Sequence, residues 1–232
     1  DAVEEKQHVV EVASVAALQP VHGEGINLGL VHRSADVDIT LFLQSLVSRM
    51  SIEQKVIGDA AVEPLAFEVN ETVMPKDVRA VMSKRLHAFK SLAPAGYRKL
   101  LDDVASVAAD FARLTGEDEL RLWFGIVRTD SCKTFHRDYY HLRLLCTYLG
   151  AGTEWLENDN VNRAMLAKGE NLSIAKELSR VKQLQPFQIA VLKGEYGDGN
   201  AGNGLIHRSP AAGTTGEARV LLRIDTCYRE RR

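Results

Sequence analysis

No run of apolar residues in the 232-residue sequence approaches the ~18 needed to cross a bilayer, and no charged-then-apolar leader opens the chain. With Asp1 as the first residue, a leader removed upstream stays open. Cysteine is scarce. Cys132, Cys146 and Cys227 are an odd number with no Cys-x-x-Cys spacing, which argues against a disulfide framework and a thiolate zinc site. Charge of one sign is lacking too: 29 Lys and Arg stand against 31 Asp and Glu, a net charge of −2. The basic field that nonspecific phosphate binding needs is missing, so no nucleic-acid partner is expected. Internal repeats and low-complexity tracts are absent as well. What is present is globular composition, 45% apolar and 26% charged, enough to bury a core as one large domain or two small ones. The expectation is a cytoplasmic protein with no membrane partner.

The first half reads as helices. Asp36 can cap a segment whose Ile39, Leu43, Leu46, Val47 and Met50 share a face. Pro75 can open a second, carrying Val78, Met82, Leu86 and Phe89. The third is the clearest: Leu100, Val104, Val107, Phe111 and Leu114 recur at helical spacing, and Gly116 ends it. After Gly116 the period changes to two. Leu120–Ile126, Leu142–Tyr148, Phe187–Val191 and Val220–Ile224 alternate as strands. Residues 157–185 look like a polar, partly helical insertion. Helices first and strands later predict an α+β arrangement, with a mainly helical region (residues 1–114) packed as a layer on a sheet or barrel (residues 115–232).

Two motifs are decoys. Gly197, Gly199 and Gly202 spell Gly-x-Gly-x-x-Gly, but Leu205-Ile206-His207-Arg208-Ser209-Pro210 follows rather than the helix that a pyrophosphate needs. His136-Arg137-Asp138 matches the start of a kinase catalytic loop, yet Arg143 stands where that loop requires Asn. What remains is His136-x-Asp138 ahead of a strand and His207 far downstream. Residues two apart in an extended segment point the same way, so an imidazole and a carboxylate can face one metal ion. A histidine from a neighbouring strand would complete the two-histidine, one-carboxylate face of non-haem Fe(II) oxygenases. The plain reading of the same residues is a surface His and Asp beside a turn.

The segment after His207 adds weight. Arg219 and Arg223 share a strand face with Leu221 and Asp225, while Val220, Leu222 and Ile224 form an apolar opposite face. A strand buried on both sides would turn its arginines into a barrel. A buried arginine needs an anion, either an internal carboxylate such as Asp225 or the carboxylate of a bound acid. Arg143, Thr147 and Tyr148 are possible pocket residues, with the inward parity of their strand undecided. Trp155 and Cys132 read as packed residues, and the five-glycine stretch Gly194–Gly204 as a lid beside His207.

His136-x-Asp138, His207 and a basic residue on the last strand resemble the double-stranded β-helix Fe(II)/2-oxoglutarate-dependent oxygenases. More narrowly, the chain resembles the bacterial domain of unknown function 1826 family. Cys132-Lys-Thr-Phe-His136-Arg-Asp138, Leu142-Arg-Leu-Leu-Cys-Thr-Tyr148, Gly152-Thr-Glu-Trp155, His207-Arg-Ser-Pro210 and Leu221-Leu-Arg-Ile-Asp225 carry that likeness, which covers the C-terminal half. The oxygenase resemblance implies a jelly-roll barrel in which His136, Asp138 and His207 bind Fe(II). It implies that Arg219 grips the distal carboxylate of 2-oxoglutarate. Arg223 would do so instead or hold a substrate anion. The implied reaction converts 2-oxoglutarate to succinate while oxidising a C–H bond of a small-molecule or peptide substrate. The alternative is a non-catalytic metal-binding or metal-homeostasis protein on the same barrel, using the triad for Zn(II) or another divalent metal. The arginine face separates the two, since only the oxygenase requires an anion anchor there.

Overall fold

The computed structural model describes residues 7–57, 67–128, 132–166, 168, 171–210 and 218–227. Two four-residue strands, β1 (Val9–Val12) and β2 (Leu28–Val31), precede helix α1 (Val37–Ile57). The Asp36 carboxylate caps α1 by accepting from the backbone N–H of Asp38 (2.9 Å) and Ile39 (3.1 Å). Strand β3 (Glu68–Val73) follows, then a 3₁₀ turn at Pro75–Asp77, α2 (Val78–Leu86) and α3 (Pro94–Thr115). Gly116 ends α3 in the left-handed region (φ 70°), and its N–H donates to Ala112 O at 2.8 Å. Strands β4 (Leu120–Val127) and β5 (Leu142–Leu149) come next, then β6 (Glu154–Trp155) and the short helices α4 (Arg163–Leu166) and α5 (Asn171–Ile174). β7 (Lys182–Gln183), β8 (Ile189–Lys193), β9 (His207–Arg208) and β10 (Arg219–Thr226) complete the chain.

The strands form two sheets. The larger has the order β1-β2-β8-β5-β10-β4-β3 and the smaller β7-β6-β9. All pairings are antiparallel except β1 with β2. The architecture is therefore mixed α and β around one large sheet. Residues before Gly116 are less purely helical than expected, because β1, β2 and β3 all join that sheet. The expected third strand starts later too. Phe187 takes a positive φ of 67° and donates its N–H to Thr147 O, so regular pairing begins at Ile189.

The large sheet has two distinct faces. Val220, Leu222 and Ile224 of β10 lie in one apolar cluster with Leu144 and Cys146 of β5, Ile39, Phe42 and Leu46 of α1, and Val104, Val107 and Phe111 of α3. The opposite face meets the small sheet through Leu28, Leu30, Leu145, Ala190 and Leu192, packed with Trp155, Leu184 and Leu205. A polar tie fastens α3 to the first face. Asp103 accepts from Arg33 Nη1 (2.6 Å) and from the buried Tyr148 hydroxyl (2.5 Å), and Arg33 Nε donates to Phe187 O. Among the described residues, no helix is long and apolar enough to cross a membrane.

A fragment of residues 115–232 is expected to lack a cooperative thermal transition. Without β2, the edge of β8 is exposed, and without α1 and α3 the apolar face of β10 has no cover. A soluble fragment with a sharp melt would show that the later strands fold alone.

Candidate functional site

His136 and Asp138 lie in the extended segment that leads into β5. His136 is paired with His207, the first residue of β9, by two backbone hydrogen bonds of 3.0 Å that run in opposite directions. This pairing sets one imidazole against the other, with ring centroids 4.5 Å apart. Nδ1 of His136 donates to Thr134 O at 2.8 Å, and Nδ1 of His207 donates to Leu205 O at 3.2 Å. Both carbonyls belong to the residue two before, so local backbone engages Nδ1 of each ring and turns each Nε2 toward Asp138; in a neutral ring that Nε2 carries the lone pair.

Asp138 supplies the third donor. Its Oδ1 lies 3.8 Å from His136 Nε2 and its Oδ2 3.3 Å from His207 Nε2. The three ligand atoms all fall within 4.8 Å of one another. Two bare nitrogens and a carboxylate this close require a positive species among them, either a second ring proton or a metal ion. Burial, reinforced by the neighbouring His207, pushes the His136 pKa below its ordinary value. For Asp138 burial works upward, but the contact with His207 and the charge of Arg143 outweigh it. The carboxyl is held well below the ordinary carboxylate range.

Arg143 stands behind this carboxylate. Its Nη1 donates to Asp138 Oδ2 at 2.6 Å, while Nε and Nη2 grip Asp225 at 2.5 and 3.1 Å. The side chains of Arg143 and Asp225 are only 11% and 4% exposed, so the pair is dry. Thr147 points to the same side of β5 as Arg143. Tyr148 does not: it faces the helices and is spent on Asp103, which removes it from the expected pocket set. The cause is strand alternation, which turns residue 148 away when 143 and 147 face the site.

The two arginines of β10 differ. Arg219 is 3% exposed and no carboxylate pairs with it among the described residues. Its Nη2 reaches only Thr147 Oγ1 (3.4 Å) and Thr153 Oγ1 (3.5 Å), and its Nε has no hydrogen-bond partner. Burial, partly opposed by Glu154, lowers its pKa to about 10, so it stays a cation at neutral pH. Thr153, one of the two hydroxyls that Arg219 reaches, lines a narrow cleft with His207, Leu28, Trp155, Ala190 and Leu192. Arg223 is half-exposed, with Nε 3.3 Å from Asp225 Oδ2 but off the hydrogen-bonding direction.

Thr153 was not singled out in the sequence, since a lone Thr between Gly152 and Glu154 carries no pattern. Cys132 is exposed rather than packed, on a positive φ of 60°. The Gly194–Gly204 stretch is no free flap. Glu195 accepts from the N–H groups of Gly202 and Gly204, and Asn200 donates to the carbonyls of Lys193 and Gly194, so the loop is braced by its own bonds. Trp155 lies in the core between the sheets.

The chain belongs to the family described as protein of unknown function DUF1826, whose model matches residues 13–225. No curated protein matches it. Among solved structures it is similar to the dioxygenase for auxin oxidation 1 from Arabidopsis thaliana, at 12% identity and a TM-score of 0.44, covering 95% of this chain and 92% of that one. It is also similar to a Pseudomonas putida prolyl-4-hydroxylase, at 13% identity and a TM-score of 0.44, over 93% of this chain and 100% of the other.

Removing Asp225 leaves Arg143 buried without its two-point partner. Asp225→Ala is expected to cost about 3–5 kcal/mol in urea denaturation, the range for breaking a buried ion pair from one side. A loss below about 1 kcal/mol would mean that water or another group takes over the guanidinium.

Proposed function

We propose that the protein is a non-haem Fe(II)- and 2-oxoglutarate-dependent oxygenase on a double-stranded β-helix, oxidising a C–H bond of a small-molecule or peptide substrate. One observation carries the reading: Arg219 is buried without a carboxylate, and Thr153, which it contacts, lines the same narrow cleft as His207, whose ring converges with the donors of His136 and Asp138. A metal-binding protein needs the triad and has no use for a buried guanidinium without a carboxylate. A 2-oxoglutarate enzyme needs both. The composition supports action in the cytoplasm, with neither nucleic acid nor membrane as partner. The helical region before residue 115 is taken as part of the same unit.

The donor set fits the metal. His136 and His207 offer neutral Nε2 atoms because their Nδ1 protons are engaged by Thr134 and Leu205. Arg143 occupies Asp138 Oδ2, which leaves Oδ1 as the free oxygen and orients the carboxylate. Fe(II) bound there with 2-oxoglutarate supplies oxygen-dependent decarboxylation to succinate coupled to oxidation of the substrate C–H bond. Arg219 receives the distal carboxylate through its planar fork, and the hydroxyls of Thr147 and Thr153 lie within reach of the same group. Leu28, Trp155 and Leu192 keep water from this end of the barrel.

Anaerobic addition of Fe(II), then 2-oxoglutarate, should produce the visible charge-transfer band of the chelate. Asp138→Ala should abolish it through loss of metal, and Arg143→Ala should weaken Fe(II) binding roughly ten- to hundredfold by freeing the carboxylate. Arg219→Ala should leave Fe(II) affinity nearly unchanged yet weaken 2-oxoglutarate about ten- to hundredfold, the worth of a charge-assisted contact of about 1.5–3 kcal/mol. Lysine at 219 should rescue only part of that loss. A loss confined to Arg223→Ala would transfer the anchor to Arg223. Metal binding by the wild type without any 2-oxoglutarate binding would move the protein to the non-catalytic, metal-homeostasis class, with Zn(II) or another divalent ion in the triad.

A further inference from the structure

The small sheet covers only part of the large sheet's site-side face. The apolar cluster between the sheets draws on β1, β2, β5 and β8 and takes from β10 only the half-buried Leu221, with nothing from β4 or β3. Among the described residues, the part that the small sheet leaves uncovered carries Arg121 and Trp123 of β4, with Arg223 of β10 directly opposite Trp123 and the buried Gly125 next along the strand face. Trp123 lies down along its strand. A Cβ placed on Gly125 would come within 3.0 Å of Cζ2 and Cη2 of the indole and within 2.7 Å of Phe67 O, so only glycine leaves room for the ring. The indole Nε1 donates to Glu68 Oε2 at 3.1 Å, which fixes the ring plane.

Arg223 stands at the edge of this surface. Its guanidinium carbon is 5.8 Å from the indole centroid and its side chain is 39% exposed. The nearby carboxylate, Asp225, is already gripped at both oxygens by Arg143, and Arg223 Nε makes no hydrogen bond to it. Arg121, cross-strand from Asp225, is exposed on the same face, whereas Glu68 is engaged by the indole. The surface is thus cationic beside a flat apolar ring. It is joined to the triad through Asp225, Arg143 and Asp138.

We propose that this open half-face is the substrate subsite and that it takes a carboxylate on a flat apolar body. The carboxylate meets the fork of Arg223, and the body stacks on Trp123. The assignment rests on the oxygenase reading for the position of the reacting metal, but the subsite is preformed without it.

The probe is 2-naphthoate, compared with the neutral 2-naphthamide, in ligand-observed NMR titrations. Saturating 2-oxoglutarate is included to keep the probe off Arg219. Naphthoate is expected to bind at least about tenfold more tightly than the amide, the difference a charge-assisted contact supplies. Arg223→Gln and Trp123→Leu should each remove about tenfold of naphthoate affinity, and Arg223→Lys should retain part of it. Both positions are partly exposed, so far-UV circular dichroism and thermal midpoints close to wild type should accompany these losses. Equal binding of acid and amide, or naphthoate affinity unchanged in Arg223→Gln, overturns the proposal. The same titrations with EDTA separate it from the metal reading. Arg223-dependent binding that survives in a protein unable to bind Fe(II) would sink the oxygenase and keep the subsite.

Discussion

Arg143 is the constraint on which the site depends. A guanidinium this deeply buried is costly unless every donor direction meets an acceptor, and here three of its nitrogens are spent on two carboxylates. One of those, Asp225, belongs to β10, and the other, Asp138, to the segment before β5. The same ion cluster therefore fixes where the last strand sits relative to the segment that carries His136 and Asp138. It also consumes both oxygens of Asp225, which is why the neighbouring Arg223 keeps a guanidinium without a hydrogen-bonded carboxylate. One buried charge sets the electrostatics of its neighbours on both sides.

β10 divides its labour by parity. Its even-numbered residues, Val220, Leu222 and Ile224, are sealed against α1 and α3, and its odd-numbered residues carry Arg219, Arg223 and Asp225. β5 is divided the same way, with Arg143 and Thr147 toward the site and Cys146 and Tyr148 toward the helices. Burial on the helix side pushes the Cys146 thiol up to about 12 despite the adjacent Arg33, so it is an inert packed group. Chemistry and cohesion occupy opposite sides of two adjacent strands, and a one-residue slip of either would exchange them.

Where a side chain repeats with the period of its element, the sequence was readable. The face of α3, the cap at Asp36 and the alternation of β4, β5 and β10 needed no tertiary information. β1 and β2 are only four residues long, too short for a period to declare itself, and β3 puts Glu71 on its core-facing side to meet Arg85 of α2. None of the three stood out as a strand. The convergence of His136 with His207 follows from a backbone bridge between distant segments, which spacing can suggest and only pairing can make. Tyr148 and Arg143 were equal candidates because alternation says that residues separate onto two faces, not which face looks inward.

The contrast between Arg219 and Arg223 shows what the missing parity information was worth. The two share one strand face, and extended backbone sets their Cα atoms about 13 Å apart. The shared face leaves Arg223 as an alternative to Arg219 for the anchor. Burial separates them: Arg219 lies under the small sheet beside Thr147 and Thr153, where water cannot solvate it, while Arg223 lies past that sheet's edge beside Trp123. A desolvated cation gains most from an anion that reaches it, so an acid would be held more tightly at the enclosed position. A half-solvated cation gains less from the same contact and releases it more readily. The two arginines differ in their dielectric surroundings, although the strand gives them the same direction.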